Sequence, residues 1–237
     1  MNENDLSALS PEERRNIETG SWFSKLSAAL RADILAAASV RRVADGTQIA
    51  YRGEAADAWC AVAKGAVRVS TITLAGKQIA LTYVEPGIWF GDIAAFDGWP
   101  HSHDAEAHGE TTLLVVPKAD FKSLLARHVE LYEALLRLNC RRLRLMFDVY
   151  EDLNSLPLAA RLAKQILGLA RSYGMAQDGE IRIGLQLAQE DLAQLLGASR
   201  QRVNQELKAL EREGALRVEP ARLVVLDKNI LLKVAGQ

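Results

Sequence analysis

One change of texture governs what this chain can fold into. Between Arg41 and about Pro117 fall eight of the 16 glycines: Gly46, Gly53, Gly65, Gly76, Gly87, Gly91, Gly98 and Gly109. Between them lie short apolar or alternating runs, such as Ala66 to Ser70 and Ile79 to Val84. Asp45-Gly46 and Pro86-Gly87 are turn signals, since Gly supplies a positive φ and Pro presets φ. Short strands with turns at such spacing predict a β-sandwich or barrel. From Ala119 the apolar period becomes helical and stays so for more than 30 residues.

That helical run carries two apolar stripes. One is Leu131, Leu135, Leu138, Leu145 and Val149; the other is Tyr132, Leu136, Leu143, Met146, Tyr150 and Leu153. A helix with two apolar faces needs two partners. One face can cover its own β-domain, and the other most simply meets the same helix of a second subunit, as in a coiled coil. A helix buried inside one large domain is the alternative. Pro157 suits the first turn of a new helix better than the interior of an old one, so Asn154 to Pro157 reads as a hinge. A helix follows over Leu158 to Tyr173, then Gly174 and an Asp178-Gly179 turn. Upstream, residues 1–20 read as a polar, poorly ordered leader. Residues 21–40 read as a short amphipathic helix through Phe23, Leu26, Leu30, Ile34 and Leu35.

The 237 residues are 49% hydrophobic and 25% charged, which excludes a disordered or low-complexity chain. The two cysteines, Cys60 and Cys140, allow neither a disulfide framework nor a CxxC metal site, and an iron–sulfur cluster needs more. The most apolar run, Trp22 to Val40, is broken by Lys25, Arg31 and Asp33, and the N-terminus is acidic. Neither a membrane span nor a signal peptide is expected, and the location expected is the cytoplasm. Charge is uneven: residues 1–154 hold 17 Lys+Arg and 21 Asp+Glu, and residues 155–237 hold 12 and 9. The C-terminal part is therefore the one suited to meet phosphates.

Within it, Leu187 to Asp227 is the most informative segment. Gln189 to Leu196 forms a short helix, Gly197 a left-handed turn, and Ser199 a cap for a second helix over Arg200 to Glu213. Ala193 lets the two helices cross closely, and Val203 plugs the angle between them. This is a helix-turn-helix. On the second helix Val203, Leu207 and Leu210 share the inner face. Gln201, Asn204, Gln205 and Lys208 share the outer one, with Arg200 and Arg202 at the start. Guanidinium and amide groups match guanine and adenine edges, and the first turns of such a helix meet the major groove. Gln189, Ser199 and the basic groups suit phosphates. After Gly214, Leu216 to Val218 and Leu223 to Leu226 flank Glu219-Pro220-Ala221-Arg222 as a β-hairpin wing, with Arg222 placed to touch a phosphate.

From about residue 21 the chain resembles the catabolite activator / fumarate-nitrate regulator family of bacterial transcription factors. Gly197-Ala198-Ser199-Arg200-Gln201-Arg202-Val203 resembles the start of its recognition helix, a G-x-S-R-E-T-V type sequence. The resemblance puts base readers at Arg200, Gln201 and Gln205, although Gln201 stands where Glu is common and Gln205 where Arg is common. Gln prefers adenine whereas Glu accepts from cytosine, so the operator should differ from the usual one. The resemblance implies an α+β architecture: a cyclic-nucleotide-binding-like β-roll (jelly roll) over 21–124, a dimerisation helix over 125–154 and a winged helix-turn-helix over 155–237. It implies as partners a second copy, near-palindromic double-stranded DNA and RNA polymerase.

Trp89 to Phe96 resembles the start of that family's phosphate-binding cassette, and the resemblance makes Gly91, Asp92, His101, Ser102, Arg142 and Met146 candidate effector contacts. Asp92 replaces a longer Glu that accepts a ribose hydroxyl. His101-Ser102-His103 replaces an Arg-Ser/Thr-Ala triplet, which removes the permanent bidentate cation for the cyclic phosphate. Met146 and Phe147 stand where hydroxyls usually meet adenine. Cyclic AMP binding in the usual way is therefore not expected. Two readings stay open, a vestigial pocket and another effector such as cyclic di-GMP, for which Arg141, Arg142 and Arg144 with Asp92 could serve. An enzyme is not expected. His101, His103 and His108 with Glu106 lack the spacing of a cupin metal site, and the remaining His128 falls in the helical run.

Overall fold

A computed structural model describes residues 6–73, 76 and 78–236, in two compact units, residues 1–143 and 144–237. The first unit contains α1 (Pro11–Glu18), α2 (Ala28–Ala37), β1 (Ser39–Val43), β2 (Gln48–Ala50), β3 (Ala58–Ile72), β4 (Gln78–Val84) and β5 (Trp89–Phe90). It continues with α3 (Asp92–Asp97), β6 (Asp104–Pro117), α4 (Lys118–Arg127) and the first half of α5 (Glu130–Ser155). Its strands are all antiparallel, in the order β1-β6-β3-β4, with β2 on β6 and β5 on β3. The long strands β3 and β6 carry both faces of the roll. Gly65 kinks β3 at φ +79°, where a Cβ would lie 2.5 Å from the Glu110 carbonyl oxygen.

Aromatic side chains fill the core between strands and helices. The Trp59 and Trp89 rings lie 4.2 Å apart, Phe23 stacks on Trp89 at 5.6 Å, and Trp22 meets Trp59 edge-on at 5.7 Å. Leu30 and Ile34 from α2, Phe121 and Leu124 from α4, and Leu131 and Leu135 from α5 close around them. The Trp22 indole N–H donates to the Ala134 carbonyl at 2.9 Å, tying the N-terminal segment to α5.

Residues 6–20 are not the loose leader that their polarity suggests; the rest of that expected leader, residues 1–5, lies outside the described residues. Ser10 opens α1 with a capping box. Its hydroxyl accepts from the Glu13 N–H at 3.2 Å, and the Glu13 carboxylate accepts from the Ser10 N–H at 2.8 Å. Ile17 is fully buried. Glu13 is also buried, and it accepts further from the Thr112 hydroxyl at 2.7 Å and from Arg42 at 3.0 Å. Burial pushes its carboxyl pKa up, but Ser10, Thr112 and Arg42 outweigh burial and hold it at about 2. A carboxyl with a lowered folded pKa stabilises above its unfolded value and loses that stabilisation as pH falls through the folded value. The contribution should therefore fade from about pH 4.5 to about 2. Glu13→Gln is expected to cost about 2 kcal/mol near neutrality and to flatten acid unfolding across that window; urea titrations at several pH values would show it.

Two other expectations need correction. The 21–40 segment is a short 3-10 turn, Phe23–Lys25, followed by α2, because Ser27 caps a new helix through the Leu30 N–H at 3.2 Å. The helix expected from 125 is interrupted. His128 is extended, and its ring pairs with Asp33 at 2.8 Å, so α4 ends there and α5 starts afresh at Glu130. Leu131 and Leu135 of the first stripe are buried, whereas Leu145 and Val149 are exposed.

The second unit holds α6 (Leu158–Tyr173), β7 (Gly174–Gln177), β8 (Glu180–Ile183), α7 (Gln189–Leu195), α8 (Arg200–Arg212), β9 (Leu216–Glu219), β10 (Arg222–Val225) and α9 (Lys228–Val234). Pro157 caps α6 from an extended conformation. The wing belongs to a four-stranded sheet, β7-β8-β10-β9, larger than the two strands read from the sequence. The Asp178-Gly179 turn was read but not the strands it joins, although its positive φ values of 51° and 83° make a tight hairpin turn.

Candidate nucleic-acid interface and effector site

The turn between α7 and α8 forms as its residues require. Gly197 sits at φ +59°, and the Ala198 N–H donates to the Ala193 carbonyl at 2.9 Å. The Ser199 hydroxyl caps α8 by accepting from the Arg202 N–H at 3.3 Å. Val203, Leu207 and Leu210 are buried, with Ala193 and Leu192 of α7. The burial of that face leaves Arg200, Gln201, Arg202, Gln205 and Lys208 exposed. Gln205, Lys208, Glu211 and Arg212 line an open hollow along the helix.

Not every expected contact residue is free. The Gln189 amide donates to the Asn204 side-chain oxygen at 3.3 Å, which links the start of α7 to the middle of α8, and Asn204 is only half-exposed. Glu211, near the end of α8, accepts from the Val218 N–H at 2.9 Å and so fixes the wing strand to the helix. Sequence reasoning had no signal for either contact, because both depend on the crossing of elements.

The wing's charges are also sorted. Arg217 donates to Glu180 at 2.7 Å and lies 3.3 Å from Glu219, and Arg182 lies 3.8 Å from Glu219. The bonds to Glu180 and then Glu219 push the Arg217 pKa further up, and the Arg217 bonds hold the Glu180 carboxyl below its usual value. Arg222 makes no such pair among the described residues and stays partly exposed at the hairpin turn, where Ala221 has φ +51°.

In the first unit the candidate effector residues separate into two groups. Gly91 at φ +83° starts α3 and sets Asp92 into the core at 2% exposure. Both Asp92 oxygens accept from one Arg142 nitrogen at 2.8 Å, and Asn139 donates to Asp92 at 3.1 Å. The other Arg142 nitrogen donates to the Trp89 carbonyl at 2.5 Å. The carboxylate expected to receive an effector hydroxyl is thus joined to α5 by the chain's own cation. His101 and Ser102 lie on the loop before β6. The His101 backbone pairs with Gly53 and Glu54, at 2.8 Å each, and the Ser102 hydroxyl meets the His103 ring at 2.8 Å. Burial and then the Arg52 charge lower the His103 pKa, which works against a cationic imidazole there. Met146 lies on α5 in the second unit, with its side chain exposed.

Cys60 is buried, which pushes its thiol up to about 12, and Cys140 is exposed. Among the described residues no cluster of His, Cys, Asp and Glu could hold a metal ion. No helix there is long and apolar enough to cross a membrane.

Two family profiles match the chain, a cyclic nucleotide-binding domain over residues 40–128 and a Crp-like helix-turn-helix domain over residues 160–234. It is 31% identical to a CRP-like cAMP-activated global transcriptional regulator of Mycobacterium tuberculosis, over 80% of this chain and 85% of that one. It is 33% identical to a cyclic AMP receptor protein of Thermus thermophilus, again over 80% and 85%. Among solved structures it resembles a CRP-family transcriptional regulator from Thermus thermophilus, with TM-score 0.70 and 27% identity over 83% of this chain and 97% of that one.

Proposed function

Because the chain belongs to the CRP/FNR family of transcription regulators, we propose that it acts as a homodimer that reads a near-palindromic operator without cyclic AMP. Two copies of α8 enter successive major grooves about 34 Å apart. Arg200, Gln201 and Gln205 face base edges, while Arg202, Lys208 and Arg222 meet phosphates. RNA polymerase is the natural further partner, and the cytoplasm the natural location.

One observation carries the ligand-independent reading: the Asp92 carboxylate is already paired with the Arg142 guanidinium and hydrogen-bonded by Asn139. An effector hydroxyl would have to compete for the same carboxylate oxygens with a guanidinium that brings a full charge as well as a hydrogen bond. The loop that should hold a cyclic phosphate has His101 where Arg is usual, and an imidazole lacks the bidentate fork of a guanidinium. Relatives named for cyclic AMP therefore do not lend that ligand to this chain. Of the groups that could serve cyclic di-GMP, Arg142 and Asp92 are spent on each other, which leaves the exposed Arg141 and Arg144.

The test is a salt-dependent binding titration on a duplex that the protein selects from a random pool, alone and with cyclic AMP, cyclic GMP or cyclic di-GMP. Equal affinities in all four are expected. A nucleotide that changes the affinity would sink ligand independence. Arg200→Ala in the same assay should lose roughly ten-fold or more in specific binding while the protein stays dimeric.

A further inference from the structure

Resting on the DNA-binding reading, we infer that Asp152 and Lys164 form a clasp across the bend at Asn154 to Pro157, and that this pair positions α8 for one separation of half-sites. The Lys164 ammonium donates to the Asp152 carboxylate at 2.6 Å, from the second turn of α6 to the last turn of α5. The two side chains are 31% and 25% exposed, so water and salt compete for them less than for a surface pair. The partners stand 12 residues apart on two helices, and only the bend brings them together. The backbone is tied on both sides of it as well. The Leu156 N–H donates to the Asp152 carbonyl at 3.0 Å, and the Arg161 N–H to the Pro157 carbonyl at 3.2 Å. Asp152 thus holds the bend with its carbonyl and α6 with its carboxylate.

A second cation continues the chain of contacts. Arg161 precedes Lys164 by three residues, so both project from one side of α6. Its guanidinium donates at 2.9 Å to the Leu196 carbonyl, which ends α7 just before Gly197. One basic group of α6 is therefore anchored to α5 and the other to the helix-turn-helix, while Leu162, Ala163 and Ile166 between and beside them are buried. The compact unit 144–237 takes in the end of α5 together with the winged helix, as such a clasp requires. Met146, Tyr150 and Leu153, the end of the exposed apolar stripe, belong to that same unit. In a dimer joined along the stripe, the separation of the two α8 helices is set through Asp152, Lys164 and Arg161. The bend is a braced elbow. A free joint would accept half-sites at several spacings, because a flexible link needs only the reach to span them. Asp152 and Lys164 are positioning residues that touch no DNA.

Two measurements on the full-length protein test the clasp. Hydrogen exchange without DNA follows the bend directly. Lys164→Met and Asp152→Ala should each speed exchange of the Leu156 and Arg161 amides by roughly five-fold, the effect of losing one part-buried ion pair. The two effects should not add, and exchanging the charges, Asp152→Lys with Lys164→Asp, should restore most of the protection. On DNA, an isolated half-site should bind the single variants and the wild type equally. A palindrome at the spacing that the wild type selects should bind the single variants roughly five-fold more weakly. Insertion of one base pair between the half-sites should then cost the variants less than the wild type. Unchanged exchange, no rescue by the exchanged charges, or equal losses on half-site and palindrome would overturn the inference. A wild type with no salt-dependent affinity for any duplex would instead remove the DNA-binding reading, and the exchange data would still decide whether the clasp holds the bend.

Discussion

Leu143→Glu is expected to turn the protein into a monomer and to weaken its hold on a palindromic duplex by roughly 100-fold or more, because bivalent binding multiplies affinity without new contacts. Leu143 lies in the stripe Tyr132, Leu136, Leu143, Met146, Tyr150 and Leu153, whose members are all 47–69% exposed. Six large apolar side chains on one face of one helix are a poor surface to leave in water. Their alternating spacing of three and four residues is that of a coiled-coil seam, with Asn139 at the one position the stripe skips. A buried glutamate pair at such a seam would place two like charges in a desolvated contact. Sedimentation equilibrium would report the mass, and far-ultraviolet circular dichroism would show that the fold persists. A variant that remains dimeric would place the contact between copies elsewhere. Leu135→Glu makes the informative contrast, since Leu135 is buried in the core of the first unit and its replacement should unfold that unit.

Trp59→Ala is expected to destabilise the first unit by about 4 kcal/mol, lowering its unfolding temperature by about 10 °C. Trp59 is fully buried and touches the rings of Trp22, Trp89 and Phe121 at 4.2 to 5.7 Å. Truncation removes one of the largest side chains from a core whose ring neighbours are held by β5, α4 and the N-terminal segment. Trp59→Phe should cost clearly less, because most of the volume survives and the indole N–H has no acceptor to lose. All four tryptophans lie in the first unit, so thermal scans by tryptophan fluorescence read its unfolding alone. Trp99, 74% exposed, supplies the control: Trp99→Phe should leave the midpoint almost unchanged. An unchanged midpoint for Trp59→Ala would mean that the aromatic cluster is not the centre of this core.

Much of the architecture could be read from local patterns, and the reason is physical. Gly197, Ser199 and Gly214 mark backbone conformations that few other residues satisfy, so the bounds of α8 followed from residue type. Pro157 and Asp178-Gly179 are equally local, although the strands that flank the latter went unread. The buried face of α8 followed from period alone, because Val203, Leu207 and Leu210 repeat at helical spacing. The polar leader was misread because its stability is not local. The Ser10–Glu13 box, which went unread, is local, but the burial of Glu13 depends on Arg42 and Thr112 from distant strands. The break at His128 depends in the same way on Asp33, 95 residues away.

The amino-acid sequence alone was enough for the order of elements and the turn chemistry of the helix-turn-helix. These are properties of single residues and of their nearest neighbours along the chain. Which polar groups remain available was decided by the tertiary structure. Asp92 and Arg142 are 50 residues apart, and Gln189 and Asn204 are 15, yet each pair engages groups that looked free. A hydrogen bond has a reach of about 3 Å. Whether a donor is spent or open is therefore set by what the fold brings beside it.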